Sequence, residues 1–167
     1  MISGKSVLGL IPCRMGSKRI PIKNIRDFNG KSLLSWAVDE AHKSRYLDRI
    51  IIASDHISIA KRRGITAFQL PAYIANSSSK SCALHVLDRY PHDLIALIQP
   101  TSPYRTAQDI DACIEIAPAF SVTAGQVLPN GAVYVSGPDC DFTKGALYEM
   151  PASRSLDIDY EHQLNAT

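Results

Sequence analysis

Apolar residues along this chain fall into short unbroken runs, separated by stretches where they recur at helical spacing. Val7–Ile11, Arg49–Ala53 with its three consecutive isoleucines, and Asp93–Ile98 have the length and make-up of buried strands. Between them, Ser32–His42 places Leu33, Leu34, Trp36, Ala37, Val38 and Ala41 on one broad face, which predicts a helix. Ile57–Arg63 reads as a short helix closed by Gly64, and Ala67–Leu70 as a short strand. Ser77-Ser78-Ser79 offers N-caps for a helix through Leu87. Thr106-Ala107-Gln108-Asp109 has the form of a capping box and opens a helix through Ile116; Gly131–Val135 is a further strand. After Ser136 the pattern weakens into the turn-rich Gly137–Asp141.

Strands that are apolar throughout, each followed by a helix, predict an α/β fold over residues 1–167. It is read as one domain, with a mostly parallel sheet covered by helices on both faces. Ligands of such sheets sit beyond the carboxyl ends of the strands. Three loops fall there: Arg14–Asn24, Asp55-His56 and Gln99–Arg105.

Composition narrows the function classes. The chain has 167 residues, enough for a real core, with 46% hydrophobic and 20% charged residues. A net charge of +2 is too small for a general nucleic-acid or membrane binder, so neither partner is expected. No apolar run is long enough to span a bilayer, and the first residues are expected to lead straight into a strand, with no signal peptide expected. The four cysteines, Cys13, Cys82, Cys113 and Cys140, are scattered without metal-ligand spacing and read as reduced thiols. The expected location is cytoplasmic.

The positive charge is concentrated locally. The stretch Ile11–Asn24 packs Arg14, Lys18, Arg19 and Lys23 around Gly16 and Ser17. It lacks both the P-loop and the Gly-x-Gly-x-x-Gly pattern. Gly16 lets the backbone approach a ligand, Ser17 can donate a hydrogen bond, and Arg14, Lys18 and Lys23 are spaced to converge on one triphosphate. Fixed cations of this kind also stabilise charge on a leaving pyrophosphate. Basic loops are common on solvated surfaces; the position after a buried strand favours phosphate. Asp157 and Asp159, two residues apart, face one side of an extended segment and suit Mg²⁺, which keeps waters and substrate phosphates as its other ligands. An Asp-x-Asp alone is matched by ordinary surface aspartates, and its weight here comes from the phosphate loop. In Gln99–Arg105 two prolines stiffen a loop in which Gln99 can donate and accept, and Arg105 either pairs with a substrate carboxylate or simply braces a turn. Asn130-Gly131 reads as a tight turn, Trp36 as core, and the histidines form no cluster.

These segments resemble the cytidylyltransferases that activate acidic sugars: CMP-sialic acid (acylneuraminate) synthetase and its relatives for pseudaminic, legionaminic and Kdo sugars. The matching stretches are Ile11–Asn24, Leu97–Asp111, Asn130–Val135 and Ser155–Asp159, with Arg49–Asp55 fitting as well. The resemblance implies a Rossmann-like fold of the nucleotide-diphospho-sugar transferase type. It implies a Mg²⁺-dependent transfer of CMP from CTP to an acidic sugar, with pyrophosphate released. It implies that Arg14 and Lys23 act in catalysis, and that Arg14, Gly16, Ser17, Lys18, Lys23, Asn24 and Ser81 bind the nucleotide. Gln99, Asn130 and Tyr134 would contact the sugar, and Asp157 and Asp159 the metal. Arg19 stands where sialic acid enzymes more often have glycine, which is closer to the pseudaminic acid branch.

The chain also departs from the family. Between Ser121-Val122 and Asn130 only Thr123–Pro129 remains, where the family has a protruding dimerisation arm that also supplies a basic clamp for the sugar carboxylate. The homodimer the resemblance implies therefore lacks its usual arm. Leu70-Pro71 replaces Arg-Pro, and Ser77 replaces an aspartate near the base. Two alternatives follow: a catalytically weakened nucleotide-binding or regulatory protein, or a nucleotidyltransferase for another sugar such as Kdo.

Overall fold

The computed structural model describes residues 1–17, 19–58, 65–117, 122–125, 132–143 and 146–165. The first half alternates as the hydrophobic pattern predicts. Strand β1 (Val7–Pro12) leads through a loop and a small hairpin, β2 (Asp27–Phe28) and β3 (Lys31–Ser32), into helix α1 (Leu33–Lys43). Then come β4 (Arg49–Ser54), β5 (Thr66–Gln69), the short α2 (Ala72–Ala75) and α3 (Ser79–Arg89). Strand β6 (Leu94–Ile98) and helix α4 (Ala107–Ile116) follow, and then β7 (Val122–Gly125), β8 (Val133–Ser136), β9 (Ala146–Glu149) and α5 (Glu161–Leu164). The helix expected over Ile57–Arg63 and the start of the strand expected at Gly131 fall largely or wholly outside the described residues.

The sheet runs in the order β5-β4-β1-β6-β8-β7-β9. Strands β5, β4, β1 and β6 are parallel; β8 is antiparallel to β6 and to β7, and β9 returns parallel to β7. The mostly parallel expectation holds, with the reversal confined to one side. Alternation along β1 divides the core. Val7 and Ile11 pack with α1 and α4 on one face, and Leu8 and Leu10 with α3 on the other. All four are fully buried, a gain of roughly 1.5–3 kcal/mol each relative to exposure.

The caps read from the sequence are in place. Ser32 and Ser78 accept from the amides of Ser35 and Ser81, and Thr106 and Asp109 form the capping box of α4. A third, smaller apolar cluster joins Ile20, Phe28 and Leu33 to Ile158 and Leu164. It fixes a C-terminal strap, residues 154–164, across the loop that follows β1.

Candidate active site

A cleft of about 490 Å³ opens at the carboxyl ends of the parallel strands. Pro12, Cys13, Arg14 and Ser17 line it after β1, Ala53 at the end of β4, and Gln99–Thr101 after β6. Leu70, Ile74, Ala75 and Ser77–Ser79 form the far wall, and Arg19, Lys23, Asn24 and Asp159 border it from the loop and the strap.

The basic loop is pinned from the neighbouring strand. Cys13 N–H donates to the Ala53 carbonyl at 2.8 Å, and Met15 N–H to Asp55 Oδ1 at 2.9 Å. Asp55 is thus a buckle for the loop. Asn24 Nδ2 closes it by donating to the Arg14 carbonyl at 3.1 Å. Ile22 sits at φ 50°, ψ 32°, a left-handed conformation costly for a β-branched residue, and it delivers Lys23 into a 3₁₀ turn.

The strap is placed by remote side chains. Arg154 forks onto Asp109, with Nε donating to Oδ2 at 3.0 Å and Nη2 to Oδ1 at 2.7 Å. Asp109 is fully buried and also accepts from Thr106 N–H, Thr106 Oγ1 and Tyr148 Oη. Burial alone would raise its carboxyl, but the Arg154 and Thr106 hydrogen bonds outweigh that and hold it below the usual range. Farther along, Ile158 N–H donates to the Thr101 carbonyl at 2.8 Å, and Arg26 pairs with Glu161.

The two paired carboxylates end up in different surroundings. Asp159 lines the cleft and receives Lys23 Nζ at 2.9 Å and Arg19 Nη1 at 2.6 Å. The Lys23 hydrogen bond first, and the nearby Arg19 charge as well, hold its carboxyl below the ordinary value despite partial burial. Asp157 does not line the cleft. Burial pushes its carboxyl up, against the Thr101 hydroxyl and with help from the Asp159 charge. Its Oδ1 is buried without a hydrogen-bond partner. An orphaned carboxylate oxygen beside a second carboxylate fits a divalent cation. Among the described residues no group of three or more His, Cys, Asp or Glu could hold a metal. The pair alone is thus an incomplete ligand set, and any cation held there would need further oxygen ligands.

The cleft brings together Arg14, Ser17, Lys23, Asn24, Gln99 and Asp159. Arg14 is exposed, with no side-chain hydrogen bond or ion pair among the described residues. Gly16 lies beside the cleft; a Cβ there would meet only Asn76 Oδ1 at 3.8 Å, so the approach is open. Ser81 is turned to the helix cap, its hydroxyl 3.0 Å from that of Ser78, while Ser77–Ser79 face the cleft. Tyr134 pairs in register with Leu97 and packs edge-on against Phe142; burial raises its hydroxyl, as does the Asp157 charge. Lys18 and Asn130 lie outside the described residues.

Arg105 is not a substrate clamp. It is 1% exposed, and its Nη1 donates to the Gln99 carbonyl at 2.8 Å and the Ala132 carbonyl at 3.4 Å. Burial lowers it to about 10, which leaves it charged at neutral pH as a strut between β6 and β8. Trp36 likewise is structural, its Nε1 donating to the Phe28 carbonyl. Cys13 and Cys82 form part of the cleft wall, but burial pushes both thiols up to about 12, so neither is a nucleophile at neutral pH.

Sequence reasoning missed Arg19 as a partner of Asp159, although it stands in the same basic loop. It also missed Gln163, which hydrogen-bonds the Asp157 carbonyl and the Asp159 amide.

Residues 8–118 match the family model for cytidylyltransferases. The chain belongs to this family. Over 113 residues it is 29% identical to a 3-deoxy-manno-octulosonate cytidylyltransferase of Bdellovibrio bacteriovorus, covering 66% of this chain and 45% of that enzyme. Over 63 residues it is 44% identical to a pseudaminic acid cytidylyltransferase of Campylobacter jejuni, covering 36% of this chain and 27% of that enzyme. The chain thus spans less than half the length of these two relatives. The solved structure of CMP:2-keto-3-deoxy-manno-octonic acid synthetase complexed with CTP superposes with a TM-score of 0.64 at 20% identity, covering 71% of this chain and 52% of that one, a likeness of fold. The matched family region ends before the strap, so the placement of Asp157 and Asp159 rests on the geometry above.

Proposed function

We propose that this cytidylyltransferase transfers CMP from CTP to an acidic sugar of the nonulosonic class, with Mg²⁺ and release of pyrophosphate. The observation that carries the reading is the meeting of Asp159 with Lys23 and Arg19 at the border of the cleft. Cations for a triphosphate and a carboxylate for its metal share one site, although they are 136 residues apart for the Lys23 pair.

The cleft suggests the division of labour. The far wall, Leu70 to Ser79 with Cys82, takes the base. Arg14, Lys18 and Lys23 hold the phosphates, with Ser17 and Asn24 beside them. The sugar hydroxyl attacks the α-phosphorus from the side of Gln99 and Tyr134, and the bond to the β-phosphate oxygen breaks. Charge then accumulates on the departing pyrophosphate, where fixed cations stabilise it most. Asp157 and Asp159 would hold Mg²⁺, which supplies Lewis-acid polarisation of the phosphates when bound. Lys23 gives up part of its contact with Asp159 to meet a phosphate. Support for the nonulosonic class is the run Ser17-Lys18-Arg19-Ile20-Pro21 and the likeness to the pseudaminic acid relative.

The test is pyrophosphate release with CTP, Mg²⁺ and a panel of nonulosonic acids and Kdo, with the other three nucleoside triphosphates as controls. Turnover with CTP and a nonulosonic acid supports the reading; turnover with Kdo alone moves the substrate. The short Thr123–Pro129 connection favours a second reading, a nucleotide-binding protein with weakened catalysis. Tight CTP binding in calorimetry without turnover on any sugar would select it.

A further inference from the structure

We infer that Gln163 is a positioning residue for the metal carboxylates, setting the backbone on both sides of Asp157-Ile158-Asp159. The inference rests on the proposed role of that pair. Segment 155–159 belongs to no helix or strand, so its backbone groups need other partners. They have them. Ile158 N–H donates to the Thr101 carbonyl, and the Ile158 carbonyl accepts from Lys23 Nζ at 2.9 Å. Two more groups of the segment, the Asp157 carbonyl and the Asp159 amide, go to one side chain. Gln163 Nε2 donates to the Asp157 carbonyl at 2.9 Å, while Gln163 Oε1 accepts from Asp159 N–H and from Tyr160 N–H, both at 2.7 Å.

A residue that only capped the short helix α5 would need the Tyr160 amide alone. Gln163 reaches past it and grips both aspartates by their main chain. A carboxamide is suited to this, since it presents a donor and an acceptor in one plane. Of the anchors on this segment, Lys23 borders the cleft and is committed to ligand, and Thr101, which also lines the cleft, holds the Ile158 amide by its carbonyl and Asp157 by its hydroxyl. Gln163 is uncharged, lies outside the cleft lining, and makes none of its three hydrogen bonds to Lys23. It acts through Asp157 and Asp159 and touches neither substrate nor metal.

The test uses the full chain and two substitutions. Gln163→Leu removes all three hydrogen bonds; Gln163→Glu keeps the acceptor for Asp159 and Tyr160 but loses the donor to Asp157. Mn²⁺ affinity in the presence of CTP, read by the spin-resonance signal of free Mn²⁺, should fall about 10-fold in Gln163→Leu and less in Gln163→Glu. Metal-free CTP affinity should stay within about two-fold, and kcat should recover at saturating Mg²⁺. Amide exchange at Asp159 and Tyr160 should accelerate in Gln163→Leu without change in β1 or α3. Accelerated exchange with unchanged Mn²⁺ affinity would overturn the inference and leave Gln163 a helix cap. Unchanged exchange would overturn it too. Wild-type protein that binds CTP but no Mn²⁺ would instead sink the metal reading on which the inference rests.

Discussion

The loop after β1 and the strap that faces it border the same cleft, but different forces hold them. The loop is fixed by its immediate neighbours in the sheet: Cys13 hangs on Ala53 of the adjacent strand, and Met15 on Asp55 just beyond it. The strap has no ladder. It hangs on Arg154–Asp109, on Ile158 reaching the Thr101 carbonyl, on Gln163, and on the apolar contact of Ile158 and Leu164 with Ile20, Phe28 and Leu33. The start of the basic loop is therefore held by the sheet edge, and the carboxylates of the site lie on a segment that separate side chains hold in place. Losing one anchor should loosen the strap while leaving the loop intact.

Arg154→Met should break the comparison most severely. Asp109 would stay fully buried and lose its counter-charge, while its partner, with a side chain 32% exposed, is the one that could have reached water. Removing one side of a buried pair costs about 3–5 kcal/mol, measured by denaturant unfolding. The pH dependence identifies the cause. In the wild type, Asp109 titrates below the ordinary carboxylate value, so its contribution is present above that value and lost as pH falls through its folded pKa. Without Arg154, burial raises Asp109, and protonation relieves the unpaired charge. The deficit of the variant relative to wild type should shrink from about pH 7 to about pH 4, around the ordinary Asp value near 3.9. A deficit that does not change with pH would show that the Arg154–Asp109 charge pair is not what anchors the strap.

Lys23→Met tests a residue that serves both regions. Its side chain is 14% exposed, and it holds the Ile158 carbonyl and Asp159 at once. Loss of a fixed donor to the developing charge should lower kcat/KM for CTP about 10²–10³-fold, the size seen when one such donor is removed. Amide exchange at Asp159 should rise as well. A fall in rate with unchanged exchange would place Lys23 in the loop alone.

Which parts were legible in the sequence follows the same division. Strands β1, β4 and β6 are unbroken apolar runs because helices cover both their faces, and the capping serines and Thr106 mark the helices that follow. Arg14 and Lys23 could be found because a local loop carries them. The strap could not be read this way. Asp157 and Asp159 were visible as a pair, but nothing in their neighbours predicts that Asp109, a capping-box residue 48 positions before Asp157, also anchors the approach through Arg154. Arg105 stayed open between a carboxylate partner and a turn brace for a related reason. Only the packing of β6 beside β8 shows that it is buried and decides for the brace. Strands β7 and β9 are short and lie beyond the parallel half, where the strand–helix alternation ends.

Asp55→Ala should affect the loop and spare the strap. It removes the acceptor of the Met15 amide, a hydrogen bond to a charged group worth about 1.5–3 kcal/mol. The result should be a raised KM for CTP, with Mn²⁺ affinity of the CTP complex changed less than in Gln163→Leu. Equal effects on both would mean that loop and strap move as one body.

The smallest effect is expected at Ile22, and its sign is the informative part. Ile22 is the residue at φ 50° that turns the chain toward Lys23, and it is 42% exposed, so little burial offsets its strain. Asparagine tolerates this conformation far better than a β-branched residue. Ile22→Asn should therefore stabilise the fold by about 0.5–1 kcal/mol, raising Tm by roughly 2–4 °C per kcal/mol in a chain of this size. If stability instead falls, the exposed isoleucine has a packing role that outweighs its backbone cost. If stability rises while the KM for CTP also rises, the strained turn is part of how the loop aims Lys23, and the rigidity of the loop is maintained at some expense to the fold.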